Sequence, residues 1–271
     1  MNAFQQLLQS SGGHPPIGTW ILSASPMLAE AMGCAGFDWG VVDMEHAPLD
    51  VSGVAQMLQA VASTKMLPVV RVPWNDTVIV KRILDAGATT VLFPMVQSAA
   101  EAERAVAATR YPPEGLRGVA GMSRASRFGA TPHYLKTANQ HVGVIVQLET
   151  PEAIKELEAI AKVKGVDALF IGPADLSAAM GHLGEPQHPA VMELMIQGVQ
   201  RCKSLGIPVG TLGDSPEVVA QYRAIGFDFV ALGSDLGHLM RGARSALAAL
   251  RTGGSEHVHL LSSGTQTGAS A

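Results

Sequence analysis

The sequence predicts an α/β protein built as one TIM (β/α)8 barrel, and three observations predict it. Eight short strand candidates, several of them almost unbroken apolar runs, alternate with helical patterns between Ile17 and Leu250. Apolarity sustained over a few residues fits a parallel strand covered on both faces. The chain has 271 residues, and one such barrel takes about 250. No GxGxxG or GxxxxGKS/T motif is present. The competing doubly wound open sheet therefore lacks its glycine-rich first turn, and no organic nucleotide cofactor is expected.

Ile17–Leu22 is the first strand and Trp39–Glu45 the second, followed by a helix over Asp50–Ala62. Leu67–Pro73, with its VVRVP run, is the third strand. Asn75-Asp76 then starts a helix over Asp76–Ala86 that Gly87 stops. Thr89–Met95 (TTVLFPM) is the fourth strand and leads to a helix over Ser98–Ala108. The stretch Arg110–Gln140 breaks the rhythm, being long and glycine-rich. Loops of that length are usually functional or interfacial. Gly143–Glu149 (GVIVQLE) and Ala168–Gly172 (ALFIG) are the fifth and sixth strands, separated by a helix over Pro151–Ala161 that ends before Gly165. A helix over Pro189–Leu205, closed by Gly206, precedes the seventh strand, Ile207–Leu212. Ser215-Pro216-Glu217 opens the helix Ser215–Ile225, and Gly226 closes it before the eighth strand, Phe227–Gly233. Residues 1–250 thus form one barrel domain. Residues 251–271, polar and rich in small side chains, are expected to be a mobile tail.

Composition excludes several function classes. Hydrophobic residues make up 47% and charged residues 15%, which supplies a sizeable core and rules out an intrinsically disordered chain. Nineteen Lys+Arg against 23 Asp+Glu leave a net charge of −4. A nucleic-acid partner would need a basic face, so none is expected. No apolar run reaches the about 18 residues of a bilayer span. The N-terminus MNAFQQLLQSSGG shows no basic segment followed by an apolar one. A cytoplasmic protein with no membrane partner is expected. Cys34 and Cys202 cannot form a disulfide framework and read as small buried hydrophobes in a reducing compartment.

In this fold, the C-terminal ends of the strands carry the chemistry. Polar residues appear where the apolar strands stop: Glu45-His46, Arg71, Gln147-Leu148-Glu149, Asp175 after Gly172-Pro173-Ala174, and Ser234-Asp235. Glu149 and Asp175 end consecutive strands. Two close carboxylates repel unless protonated or bridged by a cation. With only oxygen donors on offer, a hard ion such as Mg²⁺ or Mn²⁺ fits better than zinc. The alternative is an N-cap role for Asp175 and a solvated Glu149. Histidine is the side chain suited to proton transfer near neutral pH, so His46 is a candidate general base, or else a mouth histidine satisfied by its neighbours. Arg71 interrupts an apolar strand and needs a carboxylate or an anionic ligand as partner. Asp85, just ahead of Gly87, reads on its own as a surface or C-cap residue. The turn GPADLS sets Ala174 at a helix start, where backbone N–H groups can hold a carboxylate. No lysine lies within a strand or at its C-terminal end. An imine-forming aldolase needs one there, so a metal-dependent enolate mechanism fits better.

The segments AGFDWGVVDMEHAP, PVVRVPWND, RYPPEGLRG, VQLET, FIGPADLSAAMG and VALGSDLG closely resemble the metal-dependent (class II) pyruvate aldolases of the HpcH/HpaI family, from about Phe4 to Leu250. PMVQSAAEAERAV and GEPQHP look most like the 4-hydroxy-2-oxoheptanedioate branch of that family. HLGEP and GSDLG look about as much like the 2-dehydro-3-deoxyglucarate branch. The resemblance implies reversible cleavage of a 4-hydroxy-2-oxo acid to pyruvate and an aldehyde such as succinate semialdehyde, in aromatic catabolism. It implies Glu149 and Asp175 as ligands of Mg²⁺ or Mn²⁺, with Co²⁺ a further candidate. It implies His46 as the base acting through a water, and Asp85 as the carboxylate that orients it. Arg71 is implied to stabilise charge on the keto oxygen, and Gln147, Ala174 and Asp175 to contact substrate. It also implies a homohexamer whose neighbouring subunits complete each site. A CoA-ester lyase on the same barrel would need a long basic groove, for which no cluster is seen. A non-catalytic barrel would have to retain every matched residue by accident.

Overall fold

A short helix comes before any strand, α1 (Ala3–Ser10), capped by Asn2 and absent from the sequence expectations. The computed structural model describes residues 1–252, so the expected tail lies, but for its first two residues, outside the described residues. The first units are β1 (Ile17–Ile21), α2 (Pro26–Cys34), β2 (Trp39–Asp43) and α3 (Val51–Val61). Next come β3 (Leu67–Arg71), α4 (Thr77–Asp85), β4 (Thr90–Phe93) and α5 (Ala99–Thr109). After α6 (Tyr134–Thr137) lie β5 (Gly143–Leu148), α7 (Pro151–Lys155), α8 (Leu157–Ala161), β6 (Ala168–Ile171) and α9 (Pro173–Ala179). The last units are α10 (Pro189–Leu205), β7 (Val209–Gly213), α11 (Pro216–Ile225), β8 (Phe229–Ser234) and α12 (Asp235–Thr252).

The eight strands close into a barrel in chain order, β1 pairing with both β2 and β8, every pair parallel. This is the predicted TIM barrel. Met1–Asp235 forms one compact unit, and among the described residues α12 from Leu236 on falls outside it. None of the described helices is long and apolar enough to cross a membrane. Asp50, Asp76, Ser98, Thr150 and Ser215 each cap the helix that follows them through a side-chain oxygen. Gly206 and Gly226 end α10 and α11 in the left-handed conformation. The helix expected over Pro151–Ala161 is instead two short ones, broken at Glu156.

Two apolar layers result. One lies between strands and helices and includes Val42, Val70, Phe93, Ile171 and Leu176. The other fills the barrel with Trp20, Trp39, Phe170 and Phe229. Phe4 of α1 packs edge-on against Phe229 at 5.1 Å, and Trp39 against Phe229 at 5.5 Å. Small residues make room for these rings: a Cβ at Gly18 would run into Trp39, and one at Gly210 into Phe229. Asp38, Asp167 and Asp228, in the related stretches GFD, GVD and GFD, accept the N–H of Ile17, Val144 and Val209 at 2.7–2.9 Å. Each carboxylate thus ties the start of a neighbouring strand.

The long segment after α5 leads into β5, so it lies at the N-terminal ends of the strands, opposite the mouth. It is stitched to the C-terminal ends of helices. Arg124 donates to the carbonyls of Ala86 and Leu58, at 3.0 and 3.3 Å. Those carbonyls are among the acceptors that a helix end leaves open.

Candidate active site

The C-terminal ends of β2 and β3 bring opposite charges together in the interior. Strand register sets Asp43 beside Arg71, and their side chains are 0% and 7% exposed. Charges at such depth require partners. Arg71 Nε donates to Asp43 Oδ1 at 2.9 Å, and its second nitrogen to Oδ2 at 2.7 Å, a bidentate pair. The remaining guanidinium nitrogen lies 2.9 Å from Glu45 Oε2. The Trp20 ring lies 5.5 Å from the guanidinium carbon. Burial works against the Arg71 charge, but Asp43, Glu45 and Glu149 outweigh it and raise its pKa. Burial pushes the Glu45 carboxyl up, against the pull of Arg71 and His46, and the charges of Asp43 and Asp175 add to the rise. His46 Nε2 lies 3.9 Å from Glu45 Oε2, with the imidazole 62% exposed.

Across the mouth, β5 ends in Gln147 and Leu148, and Glu149 follows directly. Glu149 is only 2% exposed. Its Oε2 accepts the N–H of Met95 at 3.0 Å, and its Oε1 accepts from Gln147 Nε2 at 2.6 Å. Met95 makes that bond from a left-handed backbone, φ +53°, a conformation that non-glycine residues adopt at a cost. Gly172 lies against the same carboxylate. A Cβ there would sit 2.5 Å from Glu149 Oε1 and 2.9 Å from Gln147 Nε2. The buried Oε1 of Gln147 has no hydrogen-bond partner among the described residues. Burial, with the charges of Asp175 and Glu45, pushes the Glu149 carboxyl up to about 8, although the Met95 hydrogen bond and Arg71 pull it down. Ala174 and Asp175, both exposed, stand in the first turn of α9 after Pro173.

The chain therefore brings together Glu149, Asp175, Gln147, Arg71 and His46 from the ends of different strands. The charge of Asp175 is felt by both Glu149 and Glu45. A buried carboxyl held near neutrality by burial and by two acids, with an orphaned amide oxygen beside it, suits a hard divalent cation better than a salt bridge.

Asp85 is not brought to His46 within the chain. It ends α4, ahead of β4, and so lies at the opposite end of the barrel, where it pairs with Arg117 at 2.8 Å. Asp43 was not among the expected site residues, and Glu45 was expected only as one of the polar residues at the mouth, without a role. A lone acid at the end of the apolar run WGVVD, in register with the lone arginine of VVRVP, was the available signal. Cys34 is another correction: it is exposed at the end of α2, whereas Cys202 is buried as expected.

Residues 16–242 match the family model described as HpcH/HpaI aldolase/citrate lyase. The chain is 49% identical over 249 residues to a 4-hydroxy-2-oxo-heptane-1,7-dioate aldolase of Klebsiella pneumoniae, covering 92% of this chain and 93% of that protein. It is 47% identical over 236 residues to a 2-dehydro-3,6-dideoxy-6-sulfogluconate aldolase of Pseudomonas putida, covering 87% and 92%. The solved structure of an HpcH/HpaI aldolase/citrate lyase family protein from Burkholderia cenocepacia J2315 superposes with a TM-score of 0.89 at 44% identity, covering 93% of this chain and all of that one.

Proposed function

The chain belongs to the HpcH/HpaI aldolase/citrate lyase family, and from that premise we propose that it cleaves 4-hydroxy-2-oxo acids to pyruvate and an aldehyde, with Glu149 and Asp175 holding a divalent cation. The substrate that the relatives favour is 4-hydroxy-2-oxoheptanedioate, cleaved to pyruvate and succinate semialdehyde. The observation that carries the reading is the Glu149 carboxyl: buried, raised to about 8, and facing the acids Asp175 and Glu45 across the mouth.

When bound, the cation, Mg²⁺ or Mn²⁺ with Co²⁺ a further candidate, supplies Lewis-acid polarisation of the substrate's keto group. The chain does the rest. His46, exposed at the mouth, takes the proton of the 4-hydroxyl as general base. The C3–C4 bond breaks, its electron pair stays on C3 as the pyruvate enolate, and the aldehyde leaves. Arg71 spends two of its five N–H donors on Asp43. Asp43 and Glu45 hold its plane, and the remaining donors serve the keto oxygen as charge gathers there. Gln147 and the backbone N–H of Ala174 position the pyruvate half. In the reverse direction the same groups run a carbon–carbon bond formation.

Asp85 can serve as the orienting carboxylate for a His46 only across a subunit boundary, since its own chain keeps the two at opposite ends of the barrel. That supports a homohexamer with shared sites. The two free thiols, one of them exposed, suit the reducing cytoplasm.

A second reading keeps the chemistry and changes the aldehyde half: a sugar-acid aldolase acting on 2-dehydro-3-deoxyglucarate or a relative, favoured by the similarity to the sulfogluconate-derived aldolase. The test is pyruvate release from both substrate types, after chelation and after return of Mg²⁺, Mn²⁺ or Co²⁺. The proposal expects no turnover in chelator, recovery with metal, and higher kcat/KM on the heptanedioate substrate. Full activity in chelator, or a pyruvate adduct trapped by borohydride, overturns the metal reading.

A further inference from the structure

A second cluster of metal-ligating side chains lies in the connection between α9 and α10. His182, Glu185 and His188 each offer one ligand atom, and these atoms all lie within 4.8 Å of one another. None of the three has a part in the aldol chemistry. We propose that they form a separate site for a borderline transition-metal cation of the Zn²⁺ class.

The spacing is built by the backbone. The N–H of Glu185 donates to the His182 carbonyl and that of His188 to the Glu185 carbonyl, each at 2.9 Å. Two successive turns of three residues therefore stack the side chains on one side. Gly184 makes the first of those turns at φ +81°, and Gly181, at the same φ, leads into it; a side chain at either would be strained. The two imidazoles lie face to face, centroids 3.5 Å apart and planes 14° apart. His188 Nδ1 accepts the N–H of Ala190 at 3.3 Å, a long contact that Nδ1 gives up, by taking the ring proton, when Nε2 binds a cation. Gln187 donates to the Tyr222 hydroxyl at 2.6 Å and clamps the connection onto α11.

The donor chemistry selects the ion. Two imidazoles and one carboxylate are a ligand set of zinc sites, whereas Mg²⁺ prefers oxygen donors alone. Bonds of about 2.1 Å in tetrahedral array bring ligands to about 3.4 Å of each other, a closure that side-chain rotation covers. Three protein ligands leave a fourth position for water. A bound ion would cross-link the segment that follows the helix presenting Asp175.

The test is equilibrium dialysis of Zn²⁺ against the full chain carrying His257→Asn and His259→Asn, which removes the pair of histidines beyond the described residues. Adding His182→Asn and His188→Asn is expected to lower bound zinc by one ion per chain. Adding Glu149→Gln and Asp175→Asn instead is expected to leave that ion in place, so the result does not depend on the aldolase site. Co²⁺ gives a readout that does not rest on a variant's folding: the intense visible band of four-coordinate cobalt is expected in the Glu149→Gln/Asp175→Asn protein. The same zinc content with and without His182 and His188, or no such cobalt band, overturns the proposal.

Discussion

Two arginines, buried at opposite ends of the barrel, show how differently one fold can use the same side chain. Arg71, at the mouth, is gripped in bidentate fashion by Asp43, lies beside Glu45 and is backed by Trp20. Arg117, at the other end, is 1% exposed and donates one short hydrogen bond, to Asp85 at 2.8 Å. Its Nε and one terminal nitrogen have no partner among the described residues. The Tyr111 ring lies 4.4 Å from its guanidinium, and that tyrosine's hydroxyl is pushed up to about 12 by its own burial. The first arrangement surrounds a cation with carboxylates and keeps donors for a ligand. The second uses the guanidinium as a packing plate that joins the long segment to the end of α4. Polar satisfaction concentrated at the strand C-termini, and packing at the N-termini, is the division that a barrel enzyme makes between chemistry and stability.

The largest effect expected from breaking this division lies at the mouth. His46→Ala removes the proposed general base and should lower kcat about 10²–10⁴-fold. Metal affinity should hold, because Glu149 and Asp175 remain. A cleavage assay paired with a metal titration reads both. Unchanged kcat would return His46 to the role of a solvent-exposed bystander.

Arg71→Ala comes next, and it acts on two quantities. It strands Asp43, which is wholly buried, and an uncompensated buried charge costs about 3–5 kcal/mol. Thermal or denaturant unfolding should register that loss. Methyl-proton exchange of pyruvate in D₂O should fall with it, since the enolate oxygen loses its cation. Arg71→Lys should recover part of the stability and little of the exchange, because an ammonium lacks the planar fork. Arg117→Ala leaves only Asp85 behind, which is 26% exposed and reaches water, so the melt should shift less than for Arg71→Ala.

Glu149 sets the pH response. Its carboxyl has an ordinary pKa of 4.5 and reaches about 8 in the folded chain. Between those values the folded state holds a proton that the unfolded state has lost. Stability of the metal-free protein should therefore fall as pH rises from 4.5 toward 8 and then level off. Glu149→Gln should flatten that slope. Cation uptake below about 8 has to displace the same proton, so titration calorimetry in buffers of different ionisation enthalpy should show proton release. Gly172→Ala is the milder version. Its Cβ presses on Glu149 Oε1, and disturbing a ligand's surroundings typically weakens metal binding about 10–100-fold.

The strands were legible because parallel strands covered on both faces are apolar nearly throughout, and short β-branched runs such as GVIVQLE, set between helical patterns, read as such strands. Most site residues were legible for the complementary reason: Arg71 and Glu149 are charges placed where apolarity is required. What sequence spacing hid is pairing. Asp43 fell inside the run Trp39–Glu45 and drew no reading of its own, and only register sets it beside Arg71. α1 was hidden because Phe4, its one deeply buried residue, acts through Phe229, far along the chain. Met95 holds Glu149 through a backbone N–H, which leaves no mark in residue type, and Gly172 makes room for it by lacking a Cβ, which does not stand out in a chain with 29 glycines.

The smallest expected effect is also the one that decides what Asp85 is for. Asp85→Asn keeps the shape of the side chain and one acceptor for the buried Arg117, so stability should drop, but by less than the about 3–5 kcal/mol of an uncompensated buried charge. If that contact is its whole role, kcat should barely move. If Asp85 of one subunit orients His46 of another, kcat should fall, by less than for His46→Ala, because the base is still present. A mixture separates these cases. Chains carrying His46→Ala supply a sound Asp85, and chains carrying Asp85→Asn supply a sound His46. Unfolded and refolded together, they assemble some sites in which both residues are intact. Activity above the sum of the two separately refolded variants is the expected result, and it requires the site to straddle a subunit boundary. Strictly additive activity in a co-assembled mixture would confine Asp85 to its contact with Arg117, and the imidazole of His46 would then be oriented from within its own chain, where Glu45 at 3.9 Å is the nearby carboxylate.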